Sequence, residues 1–371
     1  MKLGVPKEIK THEHRVGLTP TSVREVTSHG HQVIVEANAG AGIGAADAAY
    51  EKAGAKIGDP WAEAELIVKV KEPQPEERSK LREGQVLFTY LHLAPDPQQA
   101  KELVQSKAVC VAYETVTSPR GGLPLLAPMS EVAGRMSIQV GASCLEKERG
   151  GMGILLGGVP GVPPAKITIL GAGVSGGSAA RMAVGSGARV YALDRSLDAL
   201  RRIESEFGAR VVTVYSSRDA IEQHVLSADL VIGSVLVPGA AAPKLVSRQM
   251  VRDMRQGAVV VDIAIDQGGC FETSRPTTHA DPIYVVDGVV HYCVTNMPGA
   301  VPRTSTYALN NATLPFVLAL ADKGWKRALQ EDAHFRNGLN IAAGKVTHRA
   351  VAEALGFAYT SPEAAILAEA A

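Results

Sequence analysis

The sequence predicts an α/β protein with two domains, mainly parallel sheets and a cleft between the domains. Three observations lead to this fold class. Short apolar runs alternate with helical patterns from the first residues, a second series of the same kind begins at KITIL, and the chain then returns to helix. The 371 residues, of which 46% are hydrophobic, are enough to bury two cores.

The first series contains the expected strands KLGV, HQVIVEA, ELIVKV, GQVLFTYLHL and AVCVAYETV. Its first helix has recognisable ends. Thr19 is the expected N-cap, Pro20 occupies the first helical position, and Gly30 stands where the chain leaves the helix. We therefore expect βαβ units in this part of the chain.

A later helix is expected in SEVAGRMSIQVGASCLEKERGG, with Ser130 as its N-cap and Glu131 in its first turn. The glycine- and proline-rich connector GGMGILLGGVPGVPPAK then leads to the second series, which ends with IYVVDGVVHYCV. Because helices close the chain, we expect them to return to the first domain. The predicted domains are residues 1–127 plus 302–371, and residues 128–301.

Composition excludes several classes of function. Lys and Arg number 38, as do Asp and Glu, and no long basic tract is present, so neither a nucleic acid nor an anionic membrane is an expected partner. The four cysteines form no CxxC pair or zinc-ligand cluster, which predicts no metal site and fits a reducing cytoplasm. The opening MKLGVPKE lacks the apolar core of a signal peptide, and no run of ~18 apolar residues occurs. A small-molecule substrate is expected.

A glycine-rich turn predicts a dinucleotide site. Gly171, Gly173 and Gly176 follow the strand KITIL in GxGxxG order, and the next strand ends in Asp194, near the spacing of a ribose-binding acid. The glycines permit a tight turn, close approach to a pyrophosphate and close helix packing. A carboxylate at Asp194 favours NAD over NADP, although Arg195 is adjacent, and both domains are expected to be Rossmann-like.

Three polar residues follow expected strands of the first domain. Arg15 lies after KLGV, Lys71 after ELIVKV and His92 at the end of GQVLFTYLHL. Ligands in open α/β sheets bind at the carboxyl ends of strands. Each also has a plainer interpretation: a solvated loop charge, a partner of Glu72, and a core histidine. Together they favour a pocket in which Arg and Lys hold a carboxylate and His moves a proton.

The run VVVDIAIDQGG is expected to be a late strand of the second domain, with two carboxylates on one face. We expect Asp266 at the cleft mouth, opposite His92. Asp262 is interpreted as structural, with its charge satisfied by loop N–H groups, because an unpaired buried carboxylate is costly.

The chain resembles the alanine dehydrogenase and transhydrogenase family nearly from end to end. The resemblance rests on several blocks in order: MKLGVPKE, HEHRVGLTP, KVKEP, YLHLA, APMSEVAGRM, GAGVSG, VVVDIAIDQGGC and VTNMPGAVPRTST. It implies that Arg15 and Lys71 bind the substrate, and that His92 and Asp266 are the acid/base pair. It also implies NAD contacts at Ser130, Val174, Asp194, Ser216, Val235, Leu236, Ile263, Arg275, Asn296 and Met297.

One position departs from the family's pattern. Ala199 stands where relatives often carry a basic residue near the adenosine, so that Arg195 or Arg201 would have to substitute. The resemblance further implies a homohexamer that converts L-alanine reversibly to pyruvate and ammonium. Two alternatives remain: the NAD-binding component of a proton-translocating transhydrogenase, and a non-catalytic NAD-binding protein. The residues alone indicate only an NAD-linked enzyme for a small carboxylate-bearing substrate.

Overall fold

A computed structural model describes residues 1–235 and 242–368. The chain divides into two compact units. Unit 1 comprises Met1–Met129 and Val301–Ala371, and unit 2 comprises Ser130–Ala300. The limits expected from the sequence, 127/128 and 301/302, lie close to these divisions.

The strands, in chain order, are β1 Lys2–Val5, β2 Gln32–Val35, β3 Lys56–Ile57, β4 Leu66–Val68, β5 Val86–Thr89, β6 Val109–Ala112, β7 Lys166–Leu170, β8 Arg189–Asp194, β9 Val211–Tyr215, β10 Leu230–Gly233, β11 Val259–Asp262, β12 Ile283–Val286, β13 Val289–Tyr292, β14 Leu339–Ala342 and β15 Lys345–Val346. In unit 1 the sheet order is β15-β14-β6-β5-β4-β1-β2-β3, and in unit 2 it is β12-β13-β11-β10-β7-β8-β9. Pairing is parallel except at β14 and β15 in the first sheet and at β12 in the second. The predicted α/β class with mainly parallel sheets is confirmed.

The α-helices, in chain order, are α1 Pro20–Ser28, α2 Asp47–Lys52, α3 Pro60–Glu63, α4 Pro75–Arg78, α5 Pro97–Ser106, α6 Ala127–Cys144, α7 Val174–Gly185, α8 Leu197–Phe207, α9 Arg218–Leu226, α10 Arg248–Asp253, α11 Pro302–Glu331, α12 Ala333–Arg336, α13 Arg349–Leu355 and α14 Pro362–Ala368. Helix α11 is interrupted at Gly324, whose backbone is not helical. None of the described helices combines the length and the apolar character that a membrane-spanning helix needs.

The predicted ends of α1 are confirmed. The Thr19 hydroxyl accepts the backbone N–H of Ser22, Pro20 is the first helical residue, and Gly30 has φ +84° just beyond the helix. Proline is favoured at the first helical position because its missing N–H would have no partner there.

The predicted start of α6 is wrong. The helix begins at Ala127, so Ser130 lies inside it and does not cap it. The Ala127 N–H already bonds to the Leu123 carbonyl, which extends the helical pattern toward the N-terminus. Pro128 is tolerated in this first turn, since the first N–H groups of a helix lack intrahelical partners.

The C-terminal segment packs onto the N-terminal strands of unit 1, as expected. Strand β14 pairs with β6, and Asn310 on α11 is hydrogen-bonded to the first loop of the chain. Its side-chain oxygen accepts the Thr19 N–H at 3.0 Å, and its amide donates to the Gly17 carbonyl at 2.6 Å.

The central strands of both sheets are fully buried, as is usual for parallel sheets covered by helices on both faces.

Candidate active site

Arg15, Lys71 and His92 follow three adjacent strands of the unit 1 sheet. Strand β1 lies beside β4, and β4 beside β5, all in parallel. The loop after β1 also runs against the end of β4, because a Cβ at Gly17 would lie 2.2 Å from the Val68 carbonyl oxygen. The structure therefore brings the three loops to one edge of the sheet.

Arg15 is 2% exposed, so the interpretation as a solvated loop charge is wrong. Its Nε and Nη2 donate to the two carboxylate oxygens of Glu13 at 2.7 and 2.6 Å. Burial opposes the charge, but the Glu13 carboxylate more than offsets this effect and raises the pKa of Arg15. Its Nη1 lies 3.0 Å from the Met129 sulfur, a weak acceptor. Arg15 is thus a fixed, permanently charged donor of the kind that binds carboxylates.

Lys71 lies at the end of the β4 segment, with its side chain largely buried. Its Nζ is 3.9 Å from a Glu72 oxygen, so the plainer interpretation as a partner of Glu72 has support. Glu72 is, however, also bound by Lys10, and both lysines lower the pKa of Glu72 despite its burial. The backbone carbonyl of Lys71 accepts the Thr89 hydroxyl at 2.9 Å, which connects Lys71 to the end of β5.

His92 is exposed, so the interpretation as a core histidine is wrong. Its ring stacks on Tyr90 with centroids 5.7 Å apart, and its backbone has φ +49°. The Glu114 carboxylate accepts the backbone N–H groups of Leu91 and His92. A non-glycine residue at positive φ is costly, and such strain is concentrated at functional sites.

The glycine-rich turn of unit 2 has the geometry that a dinucleotide requires. Gly171 has φ +101°, and a Cβ at Gly176 would lie 1.8 Å from the Gly171 carbonyl oxygen. By contrast, a Cβ at Gly173 would meet nothing within 4 Å, although Gly173 directly precedes α7. Open space beside the N-terminus of a twelve-residue helix fits a pyrophosphate group.

The expected cofactor residues follow five adjacent parallel strands, in the order β11-β10-β7-β8-β9. At the carboxyl ends of these strands lie Ile263, Val235, Val174, Asp194 and Ser216 respectively. Asp194 accepts the backbone N–H of Ala172 at 2.7 Å and that of Ser196 at 2.8 Å. Its carboxylate is therefore held against the glycine-rich turn.

The remaining expected cofactor residues are more scattered. Arg275 is exposed and lies over the Tyr284 ring at 4.1 Å, whereas Met297 is buried and begins a short 3₁₀ helix. Asn296 has φ +55°, and Ser130 is half-buried within α6. Leu236 lies outside the described residues.

The two carboxylates of VVVDIAIDQGG have different environments. Asp262 is fully buried, and its oxygens accept the N–H groups of Ala264 and Cys270 and the hydroxyl of Ser274, at 3.1, 2.9 and 2.6 Å. Burial raises the pKa of Asp262, while these hydrogen bonds act in the opposite direction. Its predicted structural role is confirmed.

The expected strand does not extend to Asp266. Strand β11 ends at Asp262, and Ile263–Gln267 form a 3₁₀ helix, so the expected alternation on one face of a strand is wrong. The reason is local, because the Asp262 side chain binds the Ala264 N–H and so turns the chain. Asp266 lies exposed on this 3₁₀ helix.

Several residues that support the site were missed in the sequence. Glu13 stands two positions before Arg15, and this spacing was the available signal that the two side chains pair. Glu114 follows a different strand from His92, and Ser234 donates to the carbonyls of Leu170 and Gly171 at 2.9 Å from a distant strand. No local pattern indicates either contact. Within residues 1–235 and 242–368, no cluster of three His, Cys, Asp or Glu side chains is suited to a metal.

Two family models match the chain. The model described as "Alanine dehydrogenase/PNT, N-terminal domain" matches residues 4–133, and the corresponding C-terminal domain model matches residues 137–349. The chain is 62% identical to an alanine dehydrogenase of Halomonas elongata, over 97% of this chain and 98% of that protein. It is 54% identical to an alanine dehydrogenase of Mycolicibacterium smegmatis, with the same coverage of each chain, 97% and 98%.

Solved structures give a consistent result. A structure of L-alanine dehydrogenase is similar with a TM-score of 0.93 and 51% identity, over 96% of this chain and 99% of that chain. A transhydrogenase from Sinorhizobium meliloti is similar with a TM-score of 0.81 and 26% identity, over 94% of this chain and 100% of that chain.

Proposed function

The chain belongs to the alanine dehydrogenase/PNT family, and on that premise we propose that it interconverts L-alanine and pyruvate as an amino-acid dehydrogenase. The observation that carries this function is the 62% identity to an alanine dehydrogenase over nearly the whole of both chains. The reaction consumes L-alanine, water and an oxidised nicotinamide and yields pyruvate, ammonium, a reduced nicotinamide and a proton. A transhydrogenase function is the less supported alternative, since the similar structure of that name is only 26% identical.

The proposed cofactor is NAD. The glycine-rich turn would hold its pyrophosphate at the N-terminus of α7, and Asp194 would accept a ribose hydroxyl while repelling a 2′-phosphate. Ser216, Val235 and Ile263 would line the same sheet edge. Ser130, Leu236, Arg275, Asn296 and Met297 are proposed as further contacts. When bound, NAD supplies the hydride acceptor for the α-carbon of alanine.

The proposed substrate residues act by binding and positioning. Arg15 would bind the carboxylate of alanine or pyruvate, and Lys71 would contact the carboxylate and carbonyl region. The Glu13 pair keeps Arg15 rigid, so little conformational entropy is lost when the substrate binds. Orientation of this kind contributes about 7–11 kcal/mol in favourable cases of intramolecular reaction.

His92 and Asp266 are proposed to move protons. Deamination requires proton removal from the amine, activation of the water that adds to the imine carbon, and a proton for departing ammonia. A histidine exchanges protons near neutral pH, and a positioned acid or base contributes about 10²–10⁴ in rate. The exposed position of each side chain in its own unit allows access to a substrate.

A substrate panel tests this proposal. Purified protein is incubated with L-alanine, glycine, L-serine or L-lactate and with NAD or NADP, and reduced nicotinamide is followed by absorbance. We expect the highest kcat/KM for L-alanine with NAD. Equal rates with lactate, or hydride exchange between two nicotinamides without any alanine, would contradict it.

We also propose a cytoplasmic homohexamer. The four cysteines, Cys110, Cys144, Cys270 and Cys293, are free and buried, which fits a reducing compartment. Light scattering of the purified protein tests the oligomeric state, and cell fractionation tests the compartment.

A further inference from the structure

Three ionisable side chains of unit 1 are buried together. Lys69, just after β4, donates from Nζ to Glu8 at 2.9 Å and to Glu77 at 2.6 Å. The side chains of all three residues are at most 3% exposed. Burial raises the pKa of Glu8, while the Lys69 ammonium and the Val70 N–H act in the opposite direction. One lysine is thus shared between two buried carboxyl groups, an arrangement that is costly unless every member is well bonded.

The two carboxylates share Lys69 but differ in their second contact. The other oxygen of Glu77 accepts the Gln74 N–H at 2.7 Å and caps α4. The other oxygen of Glu8 accepts the Val70 N–H at 2.7 Å and, at 3.4 Å, the Lys71 N–H. Glu8 therefore connects the cluster to the backbone at Lys71, whereas Glu77 binds the backbone at the start of α4.

The charge of Glu8 also reaches Arg15. It contributes, after Glu13 and Tyr90, to the raised pKa of Arg15. Together with Glu77 it raises the pKa of Lys69 against the effect of burial. Glu13 is the direct carboxylate partner of Arg15, and Glu72 is that of Lys71. The contact that Glu8 makes with Lys71 is therefore the hydrogen bond to its backbone N–H.

We propose that Glu8 is a positioning residue for substrate binding, which fixes the backbone of Val70 and Lys71 and so sets the place of the Lys71 ammonium. This inference rests on the proposed substrate role of Lys71. Glu77 binds the same lysine but serves the start of α4. The Lys71 side chain is flexible, but the position of its backbone can be fixed, and this position determines where the ammonium group can reach.

The pair Glu8→Gln and Glu77→Gln tests the inference. Each variant keeps the shape of the side chain and replaces one of the two carboxylates that bind Lys69 with a neutral amide. The two variants are therefore matched in their effect on the buried lysine. We expect Glu8→Gln to raise the KM for pyruvate about fivefold through loss of a charge-assisted hydrogen bond, with the KM for NADH unchanged. Glu77→Gln should leave both KM values within about twofold of wild type. Thermal unfolding of both variants monitors folding.

A double variant shows whether Glu8 acts through Lys71. In the Lys71→Met background, Glu8→Gln should cause no further rise in the KM for pyruvate. Equal KM values for pyruvate in Glu8→Gln and Glu77→Gln would overturn the inference while the wild-type activity stands. So would a double variant in which the effects of Glu8→Gln and Lys71→Met on this KM multiply. Absence of pyruvate turnover in the wild type would overturn the proposed function itself, and the inference with it.

Discussion

The Glu114 carboxylate accepts the backbone N–H of His92 at 2.7 Å, and it thereby holds a non-glycine residue at φ +49°. The backbone strain of such a residue costs about 1–3 kcal/mol. Because Glu114 also accepts the Leu91 N–H, two successive donors are bound by one side chain. The turn is thus held by a carboxylate that lies 22 positions away in the sequence, which is consistent with a histidine whose position matters more than local stability.

Replacement of His92 by Asn should separate its chemistry from its backbone. Asn tolerates positive φ better than most residues, so His92→Asn should fold normally. Loss of the imidazole should reduce kcat about a hundredfold or more. His12 provides a matched control, because it is also exposed and has φ +63°. If His12→Asn and His92→Asn retain equal turnover, the proton-transfer role of His92 is wrong.

Substitution by Asn should affect stability at Asp262 and activity at Asp266. Asp262→Asn disturbs three buried hydrogen bonds and should lower the free energy of unfolding by about 3 kcal/mol, as measured in urea. Asp266→Asn should leave stability within about 0.5 kcal/mol of wild type, because the side chain is exposed, but should strongly reduce kcat. A stable, fully active Asp266→Asn protein would exclude Asp266 as an acid/base group.

The glycine-rich turn offers a second pair. Gly176→Ala should destabilise the fold by about 1–3 kcal/mol, since its Cβ would overlap the Gly171 carbonyl. Gly173→Ala has space for its methyl group and should stay within about 1 kcal/mol of wild type. Its methyl group should nevertheless weaken NADH binding about tenfold by obstructing the pyrophosphate. Fluorescence titration with NADH measures this, and unchanged affinity of Gly173→Ala would argue against the proposed position of the cofactor.

His291 should make the stability of the protein depend on pH. It is fully buried, and burial lowers the pKa of His291 below its ordinary value of about 6.5. A depressed basic group contributes stability above its unfolded pKa, and this stability is lost as the pH falls below about 6.5, at up to about 1.4 kcal/mol per pH unit.

The corresponding variant is His291→Gln. Its free energy of unfolding should fall less between pH 7 and pH 5.5 than that of the wild type, since His224 and His348 remain in both proteins. Parallel urea curves at the two pH values measure the difference. An identical decrease in both proteins would show that His291 does not titrate as inferred.

The sequence predicts the fold through features that are local and periodic. Alternating strands and helices, the cap at Thr19 and the spacing from Gly171 to Asp194 each depend on a few neighbouring residues, and the structure agrees with them. The predictions of Ser130 as an N-cap and of a strand through Asp266 were wrong for a different reason. The start of a helix depends on the preceding turn, and the end of β11 depends on which N–H groups donate to the Asp262 carboxylate.

Supporting contacts between residues that are distant in the sequence were beyond prediction. Glu8 lies 61 positions from Lys69 along the chain, and a parallel sheet brings them together only after folding. The pairing of Arg15 with Glu13 differs, because their spacing of two residues was a local signal. Sequence thus indicates which residues reach the sheet edge, and tertiary structure determines how each is held.

The most direct test of the proposed function is the ammonium dependence of NADH oxidation by the purified wild-type protein with pyruvate. We predict that NADH is consumed only when pyruvate and ammonium are both present, with L-alanine formed in equal amount. Oxidation of NADH by pyruvate at the same rate without ammonium, or no oxidation with both present, would contradict it.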